Sequence, residues 1–448
     1  MEWEKLMATS RHGSPISGEW DLRHPVEVDL DRITFSASFR RLKDKTQVHA
    51  LPDNDHVRNR LTHSIETASV GRSIGVVVGN ALLKKNADLP FHPSHFGSIV
   101  QAACLAHDIG NPPFGHDGEV AIRSWFEKKR KQKWFKSLSE EEQSDFLHFE
   151  GNAQGFRILT NLEMGRRSGG LRLTHAVLGA FGKYPRTATV CHENPNNDAA
   201  RKKNGLFISE ISAMREVAEA TGMMSSSLED TPCWHRHPFA YLMEAADDIC
   251  YGVVDIEDGF ELGFLNFHDA STILADLADW KKEVRADTTL ETIRFLRAMA
   301  IGKLIEGVSQ TFVDHEQEML EGRFPGTLIN ASPLAAELKA AKNKARDAIY
   351  KADAVVMKMV VGHRMIHALM DIFHPVVMKL HDVQWRAEEI SAHEGYLALL
   401  FGKEELAVMK KNPSTTPGDA IRFLTDFISG MTDGYTKRLF QKLHLGQS

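Results

Sequence analysis

The sequence predicts an all-α protein, and three observations carry that reading. Apolar residues recur at helical spacing through residues 61–84, 95–107, 117–133, 149–160, 206–220, 238–258, 268–280, 287–311, 333–372, 385–399 and 417–443. Polar stretches such as 193–205 (Glu-Asn-Pro-Asn-Asn-Asp-Ala-Ala-Arg-Lys-Lys-Asn-Gly) and 222–237 separate these segments and favour loops. Strand-like alternation is confined to 170–192, where Leu171-Arg172-Leu173-Thr174-His175 and Thr187-Ala188-Thr189-Val190 allow a loop or at most a short strand pair. No internal repeat is present.

Taken in order, the elements carry chemistry unevenly. The 61–84 segment holds His63, and its apolar centre, Ser73–Leu83, falls short of the roughly 18 residues a membrane span needs. The 95–107 segment ends on His107-Asp108, just before the break Gly110-Asn111-Pro112-Pro113-Phe114-Gly115. A new helix starts after that turn and opens with His116-Asp117-Gly118-Glu119. The 238–258 segment carries Asp247, Tyr251 and Asp255 at i, i+4 and i+8, hence on one face. Asp248 points about 100° away from Asp247.

An adjacent His and Asp at a helix end can share one metal ion, and a catalytic metal usually has three or four protein ligands with a position left open. His63, His107, Asp108 and Asp247 would converge as a mixed nitrogen and oxygen set. Such a set suits Mn, Fe, Co, Ni or Zn, with Mg less well matched by imidazole. His116 and Glu119, three apart on a helix, face the same way. Two readings fit that pair: a carboxylate fixing an imidazole tautomer for proton transfer, or a turn-capping His beside a first-turn Glu favoured by the helix dipole.

Several blocks then give a resemblance. The order His63, His107-Asp108, Asp247 is the signature of the HD-domain phosphohydrolases. Around it stand Arg40-Arg41-Leu42-Lys43-Asp44-Lys45-Thr46-Gln47-Val48, Arg60-Leu61-Thr62-His63-Ser64, His107 through Glu119, Phe149-Glu150-Gly151-Asn152-Ala153-Gln154, Glu244-Ala245-Ala246-Asp247-Asp248-Ile249-Cys250-Tyr251 and Ser429-Gly430-Met431-Thr432-Asp433. In this order the blocks resemble the bacterial dGTP triphosphohydrolases from about residue 29 to the C-terminus. The resemblance implies a large HD-domain helical fold with peripheral helices. It implies an N-terminal arm and first helix with a base- or sugar-reading segment over 1–54, a metal-dependent phosphohydrolase core over 55–265, and a C-terminal helical region over 266–448.

The same resemblance assigns roles. A divalent metal (Mn, Mg, Co or similar) is held by His63, His107, Asp108 and Asp247, polarises the α-phosphate and lowers the pKa of a bound water. His116 is the acid/base and Glu119 its partner. Some relatives carry a His where this chain has Asn111, which leaves His116 as the proton carrier here. Arg60, Lys183, Tyr184 and Lys203 contact the triphosphate, Tyr251 and Asp255 the sugar, and Gln47 the base or sugar; a Tyr under the deoxyribose excludes a 2′-hydroxyl. Arg422 contributes to a substrate pocket, its own or a neighbour's, since family members assemble as hexamers. The expected reaction is dGTP plus water giving deoxyguanosine and tripolyphosphate. The alternatives are a broader dNTP triphosphohydrolase and a DNA-binding or regulatory HD protein without turnover.

Composition narrows the remaining classes. The 448 residues carry a net charge of −6, which does not suggest bulk nucleic-acid affinity. The locally basic run Glu127–Lys136, with Trp134 and Phe135, reads as a solvated helix end; single-stranded DNA as a regulator is the second reading. Cys104, Cys191, Cys233 and Cys250 form no Cys-X-X-Cys pair, which points to reduced thiols and a cytoplasmic protein. Cys233-Trp234-His235-Arg236-His237 lacks a second ligand pair at zinc spacing and reads as a loop.

Overall fold

The computed structural model describes residues 1–13, 23–47, 58–164, 169–193, 203–226, 232–349, 353–411 and 416–445. Among these residues the architecture is all-α, and extended pairing is limited to isolated bridges such as Arg11 with Thr174 and Thr187 with Leu206. Among the described residues no helix is long and apolar enough to cross a membrane.

Two helices, Arg60–Lys85 and Pro93–Ala106, run antiparallel at unusually close range. The reason is a glycine on each: a Cβ at Gly75 would lie 2.8 Å from the Cα of Gly97, so backbone packs on backbone. Gly71, one turn earlier, faces Cys104 in the same way, with 2.5 Å from a Cβ to its Sγ. This closeness brings the first turn of one helix, with His63, to the end of the other, with His107. Asn59 fixes where the first helix starts, accepting the Thr62 backbone N–H at 3.0 Å in a capping box.

The Pro238–Glu261 helix lies across this pair and is buried along most of its length. Its start is set by His237, whose Nδ1 accepts from the Phe239 N–H at 3.1 Å while Nε2 donates to the Leu6 carbonyl at 3.0 Å. Burial without a charge partner pushes this histidine down to about 4, which keeps it neutral as that bonding requires.

The buried apolar residues form two clusters. One joins these three helices to the N-terminal segment and to the Phe267–Ala278 and Thr289–Asp314 helices. The other packs Trp125, Phe126, Phe135 and Phe146 against Phe373, Trp385, Phe401 and Leu424 from the C-terminal third.

Three expected elements differ. Residues 175–181 and 188–193, within the predicted loop or strand pair, are helices; Thr174 caps the first through the Val177 N–H at 3.4 Å. The predicted 385–399 helix is a short 3-10 turn, Ala387–Glu389, followed by a helix over Ala392–Ala398. The predicted 417–443 helix breaks at Gly430-Met431-Thr432 into Pro417–Ser429 and Asp433–Leu445, and Thr432 caps the second through the Tyr435 N–H at 3.2 Å. That break turns Asp433 towards the turn at Phe114, whose backbone N–H donates to it. In the basic run, Lys129 pairs with Asp371 at 2.7 Å, Phe135 is fully buried and Trp134 packs on His374.

Candidate active site

The four expected ligands converge. His63 Nε2 lies 3.1 Å from Asp247 Oδ1, and His107 Nε2 lies 3.5 Å from the same oxygen and 3.6 Å from Asp108 Oδ1. His63, His107 and Asp108 offer ligand atoms that all fall within 4.8 Å of one another. Atoms bound about 2.0–2.2 Å from one metal sit roughly 3–3.6 Å from each other, so these spacings fit a shared cation. The donor set also leaves the right atom free. His107 Nδ1 lies 2.6 Å from the Cys104 carbonyl and is the donating nitrogen, while the buried Nε2 has no hydrogen-bond partner. Such an orphaned acceptor is what a cation would satisfy.

Electrostatics favour charge separation here. Burial works against a charged His107, but Asp108 and Asp247 outweigh it and push the imidazole up to about 9, so the cluster favours one positive charge: a proton on Nε2, or a cation in its place on a neutral imidazole. Burial also opposes the Asp108 carboxylate, yet Arg60 and His107 bring it down to about 2. Asp248 stands apart, with Lys342 Nζ 2.5 Å from its Oδ1, so only one of the paired aspartates joins the cluster.

The turn after His107-Asp108 is clamped from several directions. Arg60 Nη1 donates to Asp108 Oδ2 at 2.8 Å, and Asn111 Nδ2 donates to the other oxygen of the same carboxylate. Arg60 is buried, and its other terminal nitrogen lies against Gly115, where a Cβ would come within 2.4 Å of it; φ at Gly115 is +59°. Lys45 Nζ donates to the carbonyls of Asn111 and, at 3.0 Å, Ser429. Asp433 accepts from the Phe114 N–H at 2.9 Å and from Thr46. Lys45 and Asp433 stand in the motif blocks of the sequence, but nothing in one dimension revealed that they meet across this turn.

The turn delivers His116 to the surface. Its Nδ1 lies 3.0 Å from Glu119 Oε2, and its side chain is 73% exposed against 2% for Glu119. Glu119 is held from behind by the Gly151 N–H at 2.7 Å and by Arg123 at 3.4 Å. The bond to Glu119 raises the His116 pKa above its ordinary value. Glu150, which received no role from the sequence, lies 3.4 Å from Arg123 and 3.9 Å from Lys203. Lys203 also acts on both His116 and Glu119 electrostatically, so it belongs to this group.

Of the other candidates, Lys183 Nζ lies 3.6 Å from Glu244 and 3.7 Å from Asp247 Oδ2, and 5.8 Å from the centre of the Tyr184 ring. Burial opposes its charge, and Tyr184, Glu244 and Asp247 more than compensate, so it stays cationic. Tyr251 lies one turn beyond Asp247, with Lys342 Nζ 6.0 Å from its ring centre, and Asp255 one turn further is buried. The buried Gln47 Oε1 has no hydrogen-bond partner among the described residues. Arg422 is placed differently from the expectation of a pocket-lining residue. It is buried, donates to Asp145 at 2.7 Å, and lies 3.8 Å from the Phe207 ring centre and 4.5 Å from that of Phe146. Its guanidinium completes a core ion pair.

The comparisons with known proteins agree with this geometry. The HD domain model matches residues 60–167, the stretch that supplies His63, His107, Asp108, His116 and Glu119. A "Deoxyguanosinetriphosphate triphosphohydrolase-like protein" of Synechocystis sp. is 40% identical over 454 residues, covering 99% of both chains. One of the same description from Pseudomonas aeruginosa is 38% identical over 99% of this chain and 98% of its own. A "Deoxyguanosinetriphosphate triphosphohydrolase" of Serratia proteamaculans is 31% identical over 98% of both. With this likeness running from end to end, the chain belongs to the deoxyguanosinetriphosphate triphosphohydrolase family of HD-domain hydrolases.

Proposed function

We propose that this protein hydrolyses dGTP to deoxyguanosine and tripolyphosphate. The observation that supports it best is the meeting of His63, His107, Asp108 and Asp247 in one cluster, beside an exposed His116, in a chain of this family. These four residues would hold a divalent cation, which when bound supplies Lewis-acid polarisation of the α-phosphate and activation of water. Manganese, cobalt or magnesium are the candidates.

The protein's own groups would do the rest. Water adds to the α-phosphorus as the bond to the 5′ oxygen breaks, and that oxygen must receive a proton. His116 Nε2, the ring nitrogen not engaged by Glu119, donates it, and the negative Glu119 keeps the imidazole protonated and in one orientation. Lys183, Lys203 and Arg60 place cationic charge around the triphosphate. Arg60 also fixes Asp108. Tyr251 and Asp255 bracket the sugar, and Gln47 presents a polar edge to the base or sugar.

The test is chromatography of products from purified protein given each of the four dNTPs and GTP with Mn or Mg. Tripolyphosphate and deoxyguanosine from dGTP alone are expected. Release from all four dNTPs would replace this reading with a broader dNTP triphosphohydrolase, and inorganic phosphate or pyrophosphate as the product would refute it.

A further inference from the structure

A second group of metal-ligating side chains lies outside the residues used above. His12, His175 and Glu216 each offer one ligand atom, and these atoms all fall within 4.8 Å of one another. His12 Nδ1 is 2.7 Å from Glu216 Oε2, and His175 Nε2 is 3.1 Å from Glu216 Oε1. The spacings resemble those of the His63–His107–Asp247 cluster.

The fold fixes all three positions. Arg11 and Thr174 form an antiparallel bridge; the His12 N–H donates to the Leu173 carbonyl at 3.2 Å and the His175 N–H to the Ser10 carbonyl at 2.9 Å. That register sets the two histidines side by side. Ser10 Oγ lies 2.8 Å from His175 Nδ1, an outer-shell bond that leaves Nε2 turned to the cluster, as a protein-held ligand histidine requires. Glu216 arrives from the separate Ile211–Thr221 helix. The His175 side chain is buried, while Glu216 is 44% exposed and His12 12%, so the group opens to solvent on one side. Two rigid imidazoles, one carboxylate and an open side make a three-ligand site that water could complete.

We propose that His12, His175 and Glu216 form a second divalent-metal site, for a borderline cation such as Zn²⁺, which prefers imidazole nitrogen with carboxylate oxygen. His175 opens the helix that ends at Phe181, and Lys183 stands two residues beyond that end. A cation here ties the N-terminal segment to that helix and to the Ile211–Thr221 helix.

The test strips the full-length protein with a chelator, dialyses it against Zn²⁺ and counts zinc per chain by elemental analysis, with circular dichroism to verify folding. His12→Gln and Glu216→Gln should each hold one zinc fewer than the wild type, keep turnover within about twofold, and lose the zinc-dependent rise in Tm that the wild type shows. Asp247→Ala should still hold at least one, which separates this site from the proposed catalytic one. A count equal to the wild type's in His12→Gln or Glu216→Gln, or none in Asp247→Ala, would overturn the proposal.

Discussion

Lys45 offers the sharpest test of how the catalytic turn is built. Its ammonium is buried and grips two backbone carbonyls, Asn111 and Ser429. Burial, with Arg41 adding to it and Asp433 opposing, brings its pKa from 10.5 down to about 7. Between those values the unfolded chain holds a proton that the folded chain has released, so stability rises with pH across the window and is lowest below about 7. The whole difference converts to about 5 kcal/mol, of which roughly half falls between about pH 7.5 and 9.5. Lys45→Met keeps the length of the side chain and removes the charge. Urea unfolding of metal-stripped wild type and variant over that range should show the wild type gaining roughly 2–3 kcal/mol more than the variant. At neutral pH the two should differ little, since the relief of burying a charge offsets two carbonyls left unpaired at about 1–3 kcal/mol each. Turnover should still drop, by roughly a hundredfold if the turn shifts by an ångström. Parallel pH profiles of stability would refute this account of Lys45.

Four further outcomes follow from the same geometry. Asp247→Ala should lose both metal and activity, whereas Asp248→Ala should retain the metal, because Asp248 faces Lys342; metal counts on the two variants decide it. His116→Ala should keep the metal and lose about 10²–10⁴-fold in kcat, and near-normal rates would remove it from proton transfer. Glu119 raises the His116 pKa, so in Glu119→Gln the alkaline limb of the kcat profile should move to lower pH; a limb that stays put would mean another group titrates. Arg422→Ala strands Asp145 without its buried partner and should cost about 3–5 kcal/mol by denaturant unfolding, with KM for dGTP changed little in whatever protein folds; a large KM effect would restore Arg422 to a substrate pocket.

What could be read from the chain and what could not divide along physical lines. The helix periodicity, the shared face of Asp247 and Tyr251 and the pairing of His116 with Glu119 are local, set by 3.6 residues per turn, and the structure reproduces each. The convergence of His63 with His107 is not local. It depends on Gly75 meeting Gly97, and no pattern within either helix announces which glycine faces which. Lys45, Glu150 and Asp433 stood inside recognisable blocks without a role, because their partners are carbonyls and side chains far away in sequence. The place of Arg422 near a late motif suggests a substrate pocket; its contacts within this chain, Asp145 and Phe207, are again distant in sequence and give no local signal. The short helix at 175–181 escaped because its stability comes from the Thr174 cap and tertiary burial rather than from length.

The bond from the Phe114 N–H to Asp433 joins residues 319 apart in the chain. At about 5–20 residues per second, a ribosome needs roughly 15–65 s to make that interval. All four proposed metal ligands are made within the first 247 residues, but the group that braces the turn leading to His116 arrives only at residue 433. A nascent chain therefore presents the ligands before the brace, and the turn takes its described form only once Asp433 has been made.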